Sequence, residues 1–276
     1  MLNTEKRNPN TTHMDKMTSM QMAEAMQNEN YNAVKAIDSE LNAIAMAIDI
    51  ISDKIKKGGR LFYIGCGTSG RLGVLDAAEC PPTFGVSKDV VIGIIAGGDG
   101  ALKNAVEGAE DSYEKGAEDI SEYYLNQNDS VIGISVAGGA QYVIGALDAA
   151  TKAGALTVAI TSNRGSKIDE MADIKIHPDT GAEVVAGSTR LKAGTAHKMI
   201  LNMISTCVMV KQGHVYENMM INLKPANIKL RDRMIRIVCE ITGCDYQTSE
   251  KLLDENEWTI RKAVDTAFKN SAQSAE

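Results

Sequence analysis

Short apolar segments that alternate with helical segments constrain the fold of this chain more than any other feature. Four of them, rich in β-branched residues, are RLFYIG (60–65), DVVIGIIAGG (89–98), SVIGISVAGG (130–139) and LTVAITSN (156–163), and a shorter fifth is DIKIHP (173–178). Strands separated by helices typically form βαβ units, in which helices cover both faces of a parallel sheet. The sequence therefore predicts an α/β fold whose ligands bind beyond the carboxyl ends of the strands.

Helical patterns flank the predicted sheet. The polar residues 1–30 predict an extended arm, and apolar residues at helical spacing then predict one helix that ends at the glycine pair 58–59. From about residue 226, three short amphipathic segments predict a small helical appendage. The predicted organisation is an N-terminal arm and helix (1–50), a sheet domain (51–225) and a C-terminal helical segment (226–276).

Composition excludes several classes of function. A net charge of −7 and an aromatic content of 4% offer neither a basic field for nucleic acid or an anionic membrane nor a stacking platform for bases. The five cysteines form no CxxC pair, and no apolar segment approaches membrane-spanning length. The four histidines show no metal-ligand spacing. We therefore predict a cytoplasmic protein with reduced thiols that binds a small molecule and needs no metal.

The glycine-rich segment GCGTSG (65–70) is a candidate binding site. It matches the dinucleotide pattern GxGxxG, but the acid expected about 20 residues further on arrives late, at Asp99. Thr68 and Ser69 instead add hydroxyl groups at a predicted helix N-terminus, where free N–H groups bind anions. This arrangement favours a phosphate monoester, and an ordinary helix cap is the alternative.

A second hydroxyl-rich segment, GSTRLK (187–192), lies at another predicted helix start. It offers Ser188, Thr189, Arg190 and Lys192. By itself it is equally consistent with a helix cap beside ordinary surface cations. Because two such segments occur in one domain, we expect the hydroxyl groups of both to contact a phosphate.

Several carboxylates lie near the predicted ends of the first two helices that follow strands. They are Glu79, Glu107, Glu110 and Asp111. Such acids are usually solvated surface groups. Glu79 differs because AAECPP surrounds it with small, apolar and rigid residues, which favour the protonated form of a carboxyl group. The proline pair that follows predicts the end of the helix.

Three long segments resemble N-acetylmuramic acid 6-phosphate etherases. They are GCGTSGRLGVLDAAECPPTFGV, IAGGDGALKNAVEGAEDS and GAEVVAGSTRLKAGTAHKMILNMIST, and the similarity extends over nearly the whole chain. The resemblance implies a three-layer, parallel-sheet sugar isomerase (SIS) fold with an N-terminal helical arm and a small ubiquitin-associated-like helical appendage. It also implies a homodimer without metal or organic cofactor.

The resemblance further implies a carbon–oxygen lyase that releases D-lactate from N-acetylmuramic acid 6-phosphate, giving N-acetylglucosamine 6-phosphate, during cell-wall recycling. By motif, Glu79 is the acid that protonates the departing lactate oxygen, and Glu110 is the base at C2. Ring opening exposes an aldehyde at C1 and acidifies the C2 proton. Loss of lactate from C3 then gives an unsaturated aldehyde to which water adds, and the two carboxyl groups must therefore differ in protonation.

The loop after the third strand departs from this family. Related etherases carry a Ser-Gly-Arg-Thr-Pro-like loop that helps hold the phosphate, whereas this chain reads Ala137, Gly138, Gly139, Ala140 and Gln141. Each neutral hydrogen bond lost costs roughly 0.5–1.5 kcal/mol, and a charged one costs more. Backbone N–H groups at the following helix start offer only part of this binding. A non-catalytic sugar-phosphate regulator, similar to the glucokinase regulatory protein, and an aldose–ketose isomerase therefore stay open as alternatives.

Helix geometry gives one further expectation. In an unbroken helix over residues 70–79, Glu79 lies about 15 Å from the phosphate loop. Glu110 is predicted at a similar distance along the next helix. Because a hexose phosphate is too short to reach both ends of one such helix, we expect at least one glutamate to serve a site completed by a second subunit.

Overall fold

The five apolar segments pair into one parallel sheet in the computed structural model, which describes residues 2–273. The strand order is β2-β1-β3-β4-β5. The strands are β1 (Leu61–Gly65), β2 (Val91–Ile95), β3 (Ser130–Ile134), β4 (Leu156–Ile160) and β5 (Ile174–Ile176). All four pairings are parallel, which confirms the predicted class of sheet.

Eleven α-helices surround this sheet or follow it in the part of the chain from residue 2 to 273. They are α1 (Ser19–Lys35), α2 (Leu41–Lys56), α3 (Gly67–Phe84), α4 (Gly100–Lys103), α5 (Tyr113–Ser121), α6 (Gln141–Lys152), α7 (Lys167–Met171), α8 (Lys192–Lys211), α9 (Ile228–Thr242), α10 (Tyr246–Glu255) and α11 (Ile260–Gln273). Short 3-10 turns cover Asn3–Glu5, Pro9–Thr11, Met14–Lys16 and Asp38–Glu40. None of the described helices is long and apolar enough to cross a membrane.

The sheet is the middle of three layers because both of its faces are buried. Every residue of β1, β3 and β4 is buried. On one face, a Cβ at Gly73 of α3 would lie 2.8 Å from Tyr63, so that α3 packs directly on β1. On the other face, Phe62 and Ile64 share a core with α6. Successive strand residues point to opposite faces, which explains the continuous apolar runs in the sequence.

The strand order creates a crevice between β1 and β3. The chain runs from β1 to the edge strand β2 and then returns to pair β3 on the other side of β1. In such a sheet the connections after β1 and β3 leave in opposite directions, and ligands bind where they part.

The N-terminal helical region differs from the prediction. α1 already begins at Ser19, where Thr18 and Gln21 form a capping box, and a 3-10 turn at Asp38–Glu40 separates it from α2. The single helix predicted after an extended arm is therefore wrong. The break allows the buried Glu40 carboxylate to accept a hydrogen bond of 2.8 Å from the His177 N–H after β5.

Helix α3 continues through the proline pair. Pro81 and Pro82 lie inside the helix, which ends only at Phe84. The Gly85 N–H donates to the Pro81 carbonyl at 2.9 Å, and Gly85 takes φ +68°, a common way to end a helix. The predicted helix end directly after Glu79 is wrong. Proline removes a backbone hydrogen bond, but its fixed φ of about −65° is compatible with a helix, so that α3 can continue.

The helix predicted between β2 and β3 is interrupted. α4 ends at Lys103, and α5 begins only at Tyr113, so that residues 104–112 form turns and irregular backbone. The glycine at position 108, with φ +71°, adopts a left-handed conformation that interrupts a helix. Glu107, Glu110 and Asp111 therefore lie in a loop and not on a helix.

Helices α5 and α6 approach each other at two glycines. A Cβ at Gly116 would lie 1.8 Å from the Tyr142 carbonyl oxygen, and one at Gly145 would lie 2.0 Å from the Tyr113 carbonyl oxygen. The buried Tyr142 side chain donates a hydrogen bond of 2.6 Å to Asp119 on α5. Backbone contact at both glycines therefore fixes the distance between the two helices.

The chain forms two compact units, residues 2–78 with 88–208 and residues 79–87 with 209 onward. The second contains a two-stranded hairpin, β6 (Val215–Tyr216) and β7 (Met219–Met220), and the helices α9, α10 and α11. The three helices predicted after residue 226 are thus present, and they share an apolar core. The domain boundaries predicted at residues 50 and 225 stay a prediction.

His197 is a fully buried residue of α8. Its Nε2 atom lies 3.2 Å from the Ser162 hydroxyl oxygen. Burial lowers the pKa of His197 to about 4. The imidazole is therefore neutral at physiological pH.

We predict that Gly145→Ala lowers the free energy of unfolding by about 3 kcal/mol, because the added methyl group meets backbone and not a movable side chain. Urea denaturation followed by circular dichroism measures this. Gly100→Ala is the matched control, since a Cβ there meets no atom within 4 Å. Equal midpoints for the two variants would contradict the close helix contact.

We also predict that His197 makes stability fall in mild acid. Its pKa is about 4 in the folded chain, whereas an unfolded histidine has a pKa of 6.5, so that the unfolded state binds the proton more readily. The contribution is complete above pH 6.5 and is lost as the pH falls toward 4, at about 1.4 kcal/mol per unit of pKa difference. The pH dependence of urea midpoints should be shallower in His197→Gln than in the wild type. A His197→Gln slope equal to that of the wild type would refute the assignment.

Candidate active site

A cavity of about 350 Å³ lies at the carboxyl ends of β1 and β3. Its lining comes from residues 66–69 after β1, residues 134–137 around the end of β3, Glu110, Ala140, and residues 187–190 before α8. Five of the six predicted site residues therefore line one cavity: Thr68, Ser69, Glu110, Ser188 and Thr189. We call this space the main cavity.

The start of α3 gives the main cavity an anion-binding character. Gly67 begins the helix, and the first N–H groups of any helix have no carbonyl partner within it. Thr68 and Ser69 add hydroxyl groups at the same position. A Cβ at Gly70 would lie 2.5 Å from the Gly65 carbonyl oxygen, so that only glycine allows so tight a turn.

The segment 187–190 reaches the main cavity as a loop and not as a helix start. Helix α8 begins at Lys192, and the N–H groups of Lys192 and Ala193 donate to the Glu183 carboxylate at 3.2 and 3.0 Å. Burial raises the pKa of Glu183, and these two hydrogen bonds oppose that shift. Because a carboxylate already caps α8, Ser188 and Thr189 can offer the cavity their side chains but not the helix N-terminus that the sequence predicted.

Lys192, one of the two cations in this segment, is committed elsewhere. Its side chain is buried and forms an ion pair with the buried Glu29 of α1. Burial alone would raise the pKa of Glu29, but hydrogen bonds from Lys192, Asn10 and Asn8 outweigh burial and lower this pKa to about 2. The pair ties α1 to the start of α8. Of the two predicted cations in this segment, Arg190 lines the main cavity.

Glu110 lies at the main cavity because the loop between α4 and α5 returns to the sheet. Its backbone carbonyl accepts a hydrogen bond of 3.0 Å from the Tyr142 N–H in the first turn of α6. Its side chain is exposed and lines the main cavity. The expectation that Glu110 lies far along a helix, away from the phosphate loop, is therefore wrong.

Cys66 lines the main cavity without being a nucleophile. Burial, and then the charges of Glu110 and Asp111, raise the pKa of this thiol to about 12. The thiolate is the reactive form of cysteine. At neutral pH the Cys66 thiol is therefore protonated, and it lines the main cavity together with Glu110.

The loop that departs from the related etherases lines the main cavity with methyl groups, from Ala137 and Ala140. Ser135, at the end of β3, lines it as well and was missed from the sequence. The Ser135 hydroxyl oxygen accepts a hydrogen bond of 3.1 Å from the Gly138 N–H, which leaves its own proton for a ligand. The sequence signal that could have identified Ser135 is its position as a polar residue directly after an apolar strand.

Glu79 does not line the main cavity. It is exposed, belongs to the second compact unit, and lies twelve residues beyond Gly67 on α3. The predicted catalytic role of Glu79 stays a prediction.

No group of three or more His, Cys, Asp or Glu side chains in residues 2–273 is arranged to hold a metal ion. The expectation of a reaction without metal or organic cofactor stays a prediction.

Two family descriptions match the sequence, "Glucokinase regulatory protein N-terminal SIS domain" over residues 43–151 and "SIS domain" over residues 111–206. Proteins named N-acetylmuramic acid 6-phosphate etherase are similar over nearly the whole chain. The one from Clostridium beijerinckii is 49% identical over 95% of this chain and 86% of its own length. The one from Cronobacter sakazakii is 47% identical over 94% of this chain and 88% of its own length.

Solved structures share the fold at low sequence identity. A phosphoheptose isomerase from Francisella tularensis has a TM-score of 0.54 at 18% identity, and the match covers 70% of this chain and 98% of that one. A phosphoheptose isomerase from Neisseria gonorrhoeae has a TM-score of 0.53 at 19% identity, covering 69% of this chain and 98% of that one. Together with the SIS domain match, these structures confirm the predicted SIS fold.

We predict that Lys192→Met lowers the free energy of unfolding by about 3–5 kcal/mol, because it leaves the buried Glu29 carboxylate without its cation. Urea denaturation at pH 7 measures the change, and the double variant Glu29→Gln/Lys192→Met should recover part of it. Lys251→Met is the control, since both side chains of the Lys251–Glu255 ion pair are exposed and the pair should matter little. A small effect at Lys192 would show that the pair does not anchor α1.

Proposed function

This chain belongs to the N-acetylmuramic acid 6-phosphate etherase family, and we propose that it cleaves the D-lactyl ether of N-acetylmuramic acid 6-phosphate. The products are N-acetylglucosamine 6-phosphate and D-lactate. The observation that carries the proposal is the main cavity, in which an anion-binding helix start and the carboxylate of Glu110 face one space. A sugar phosphate needs both, one to hold its phosphate and one to act on its carbon chain.

The phosphate is proposed to bind at the start of α3. Thr68 and Ser69 donate from the helix start, while Ser188 and Thr189 donate from the facing loop. Arg190 supplies a positive charge. The loop after β3 supplies none, because position 139, where the resemblance leads one to expect an arginine, is a glycine. Charge-assisted hydrogen bonds of this kind are roughly twice as strong as neutral ones, and they offset part of the loss in the loop at 137–141.

Glu110 is proposed as the base. Opening of the sugar ring places an aldehyde at C1, and Glu110 then accepts the acidified proton from C2. The electron pair forms the C2–C3 double bond as the C3–O bond breaks, and lactate leaves with a proton from an acid. Water adds back across this double bond, with its oxygen at C3 and its proton at C2. No electrons are gained or lost overall.

Glu79 is proposed as that acid, acting in the main cavity of a second copy of the chain within a homodimer. Two observations support this placement: Glu79 is exposed, and it does not line the main cavity of its own chain. Co-expression of a Glu79→Gln chain with a Ser69→Ala chain should then restore some activity, because mixed dimers contain one intact site. Complete inactivity of the mixed dimers would count against a shared site.

The chemistry of the substrate supports the predicted cytoplasmic location, because a sugar phosphate is charged and does not cross a membrane unaided. The alternative of a non-catalytic sugar-phosphate regulator gains no support from the relatives, which carry the etherase name.

We predict that the purified chain releases lactate from N-acetylmuramic acid 6-phosphate and that Glu110→Gln lowers the rate at least about 10²-fold, the usual loss of a general base. In D₂O, the wild type should also exchange deuterium into C2 of N-acetylglucosamine 6-phosphate, and Glu110→Gln should not. Glu79→Gln should lose lactate release but keep the exchange, because removal of the C2 proton requires no acid at C3.

Glu114→Gln, at an exposed position on α5, is the matched control and should behave as the wild type. Wild-type lactate release by both Glu79→Gln and Glu110→Gln would sink the assignment. An aldose–ketose isomerase would instead give a ketose phosphate and no lactate.

A further inference from the structure

A second, smaller cavity adjoins the main cavity at Glu110. Its volume is about 210 Å³, and Cys66, Gly67 and Glu110 line both spaces. We call it the side cavity. The rest of its wall consists of two charged residues, Arg71 and Glu107, and of small or apolar residues: Ala96, Ala101, Ala105, Val106, Gly108 and Ala109. The phosphate-binding hydroxyl groups of Thr68, Ser69, Ser188 and Thr189 line only the main cavity.

Arg71 is the one cation among the described residues that line the side cavity. It lies on α3, four residues beyond Gly67, and is partly buried. Its Nε atom donates to the Leu102 carbonyl at 3.0 Å, which holds the side chain in place. That bond leaves the terminal Nη donors for another acceptor, and a guanidinium fork matches a carboxylate.

The substrate of the proposed function carries two anionic groups that need separate sites. Its phosphate is assigned to the hydroxyl groups of the main cavity. Its second anion is the carboxylate of the lactyl group, which is attached through oxygen at C3. Because C3 neighbours the C2 atom on which Glu110 acts, the lactyl group must lie close to Glu110, where the side cavity opens.

We propose that the side cavity binds the lactyl group and that Arg71 donates hydrogen bonds to its carboxylate. The inference rests on the proposed function. Glu107 and Glu110 repel the lactyl carboxylate, whereas Arg71 attracts it. The charges of the side cavity therefore favour the orientation of the lactyl group in which its carboxylate lies beside Arg71. The alanine and valine wall then surrounds the methyl group. With carboxylate, methyl and ether oxygen each directed to a different surface, the side cavity distinguishes the two configurations of the lactyl group.

The competing cation is Arg190, which lines the main cavity but not the side cavity. It follows Ser188 and Thr189 directly and is assigned to the phosphate. The two arginines therefore make opposite predictions for a substrate that lacks only the carboxylate charge.

The test compares N-acetylmuramic acid 6-phosphate with its lactamide analogue, in which a neutral carboxamide replaces the carboxylate while ether and phosphate are unchanged. The wild type should prefer the acid by about tenfold or more in kcat/KM, the range expected for a charge-assisted pair. Arg71→Gln should lower this preference to about threefold or less, mainly through KM. Arg190→Gln should weaken both substrates alike and keep the preference, and Arg164→Gln, outside both cavities, should alter neither.

A second variant keeps the test independent of the folding of Arg71→Gln. Ala105→Leu fills the side cavity from an exposed position. It should lower ether cleavage about tenfold more than deuterium exchange into N-acetylglucosamine 6-phosphate, which has no lactyl group. An equal loss in both reactions would contradict the placement of the lactyl group.

The outcomes separate the inference from the function on which it rests. If the wild type cleaves the ether but Arg71→Gln keeps the preference for the acid, or if Arg190→Gln loses it, the inference is overturned and the etherase function stands. If the wild type cleaves neither substrate, the proposed function is overturned, and the assignment of Arg71 falls with it.

Discussion

The backbone contact between α5 and α6 is the constraint on which the candidate site depends most. Where Gly116 and Gly145 meet the opposite helix, neither position has room for a side chain. This proximity holds the start of α6 beside the loop that precedes α5, and the Tyr142 N–H binds the Glu110 carbonyl there. The loop thereby acquires one fixed point, which lies at the residue proposed as the base. Steric contact without charge thus determines the position of a charged group.

The facing loop at 187–190 is held by the opposite kind of interaction. A buried lysine, Lys192, pairs with Glu29, and the carboxylate of Glu183 caps the same helix start. The positive charge of Lys192 is therefore paired inside the protein and does not face the main cavity. The side-chain donors that line the main cavity are mostly hydroxyl groups, with Arg190 as the cation, so that a phosphate bound as proposed would meet mostly neutral donors. Neutral donors bind less tightly than several cations would, which also helps a product to leave.

The strands and most residues of the main cavity can be predicted from the sequence, because both depend on local patterns. Apolar runs mark buried strands, and hydroxyl groups after strands mark the edge where ligands bind. Prediction from the sequence is wrong where contacts between distant parts of the chain determine the local structure. Glu110 follows a helix-like pattern, yet a left-handed glycine and the contact with α6 bring it back to the sheet. The ion pair of Lys192 could not be predicted from local sequence, because its partner, Glu29, lies 163 residues away. The capping box at Thr18 was a local signal that was overlooked.

The loop after β3 has one position that cannot vary and another that can. At Gly138 a Cβ would lie 2.0 Å from the Ser166 hydroxyl oxygen, whereas at Gly139 it would meet no atom within 4 Å. The backbone path therefore excludes a side chain at position 138, whereas a side chain at position 139 begins in free space. Position 139 is therefore the place in this loop where a longer side chain, such as a cation facing a phosphate, can start without displacing the backbone around its Cβ.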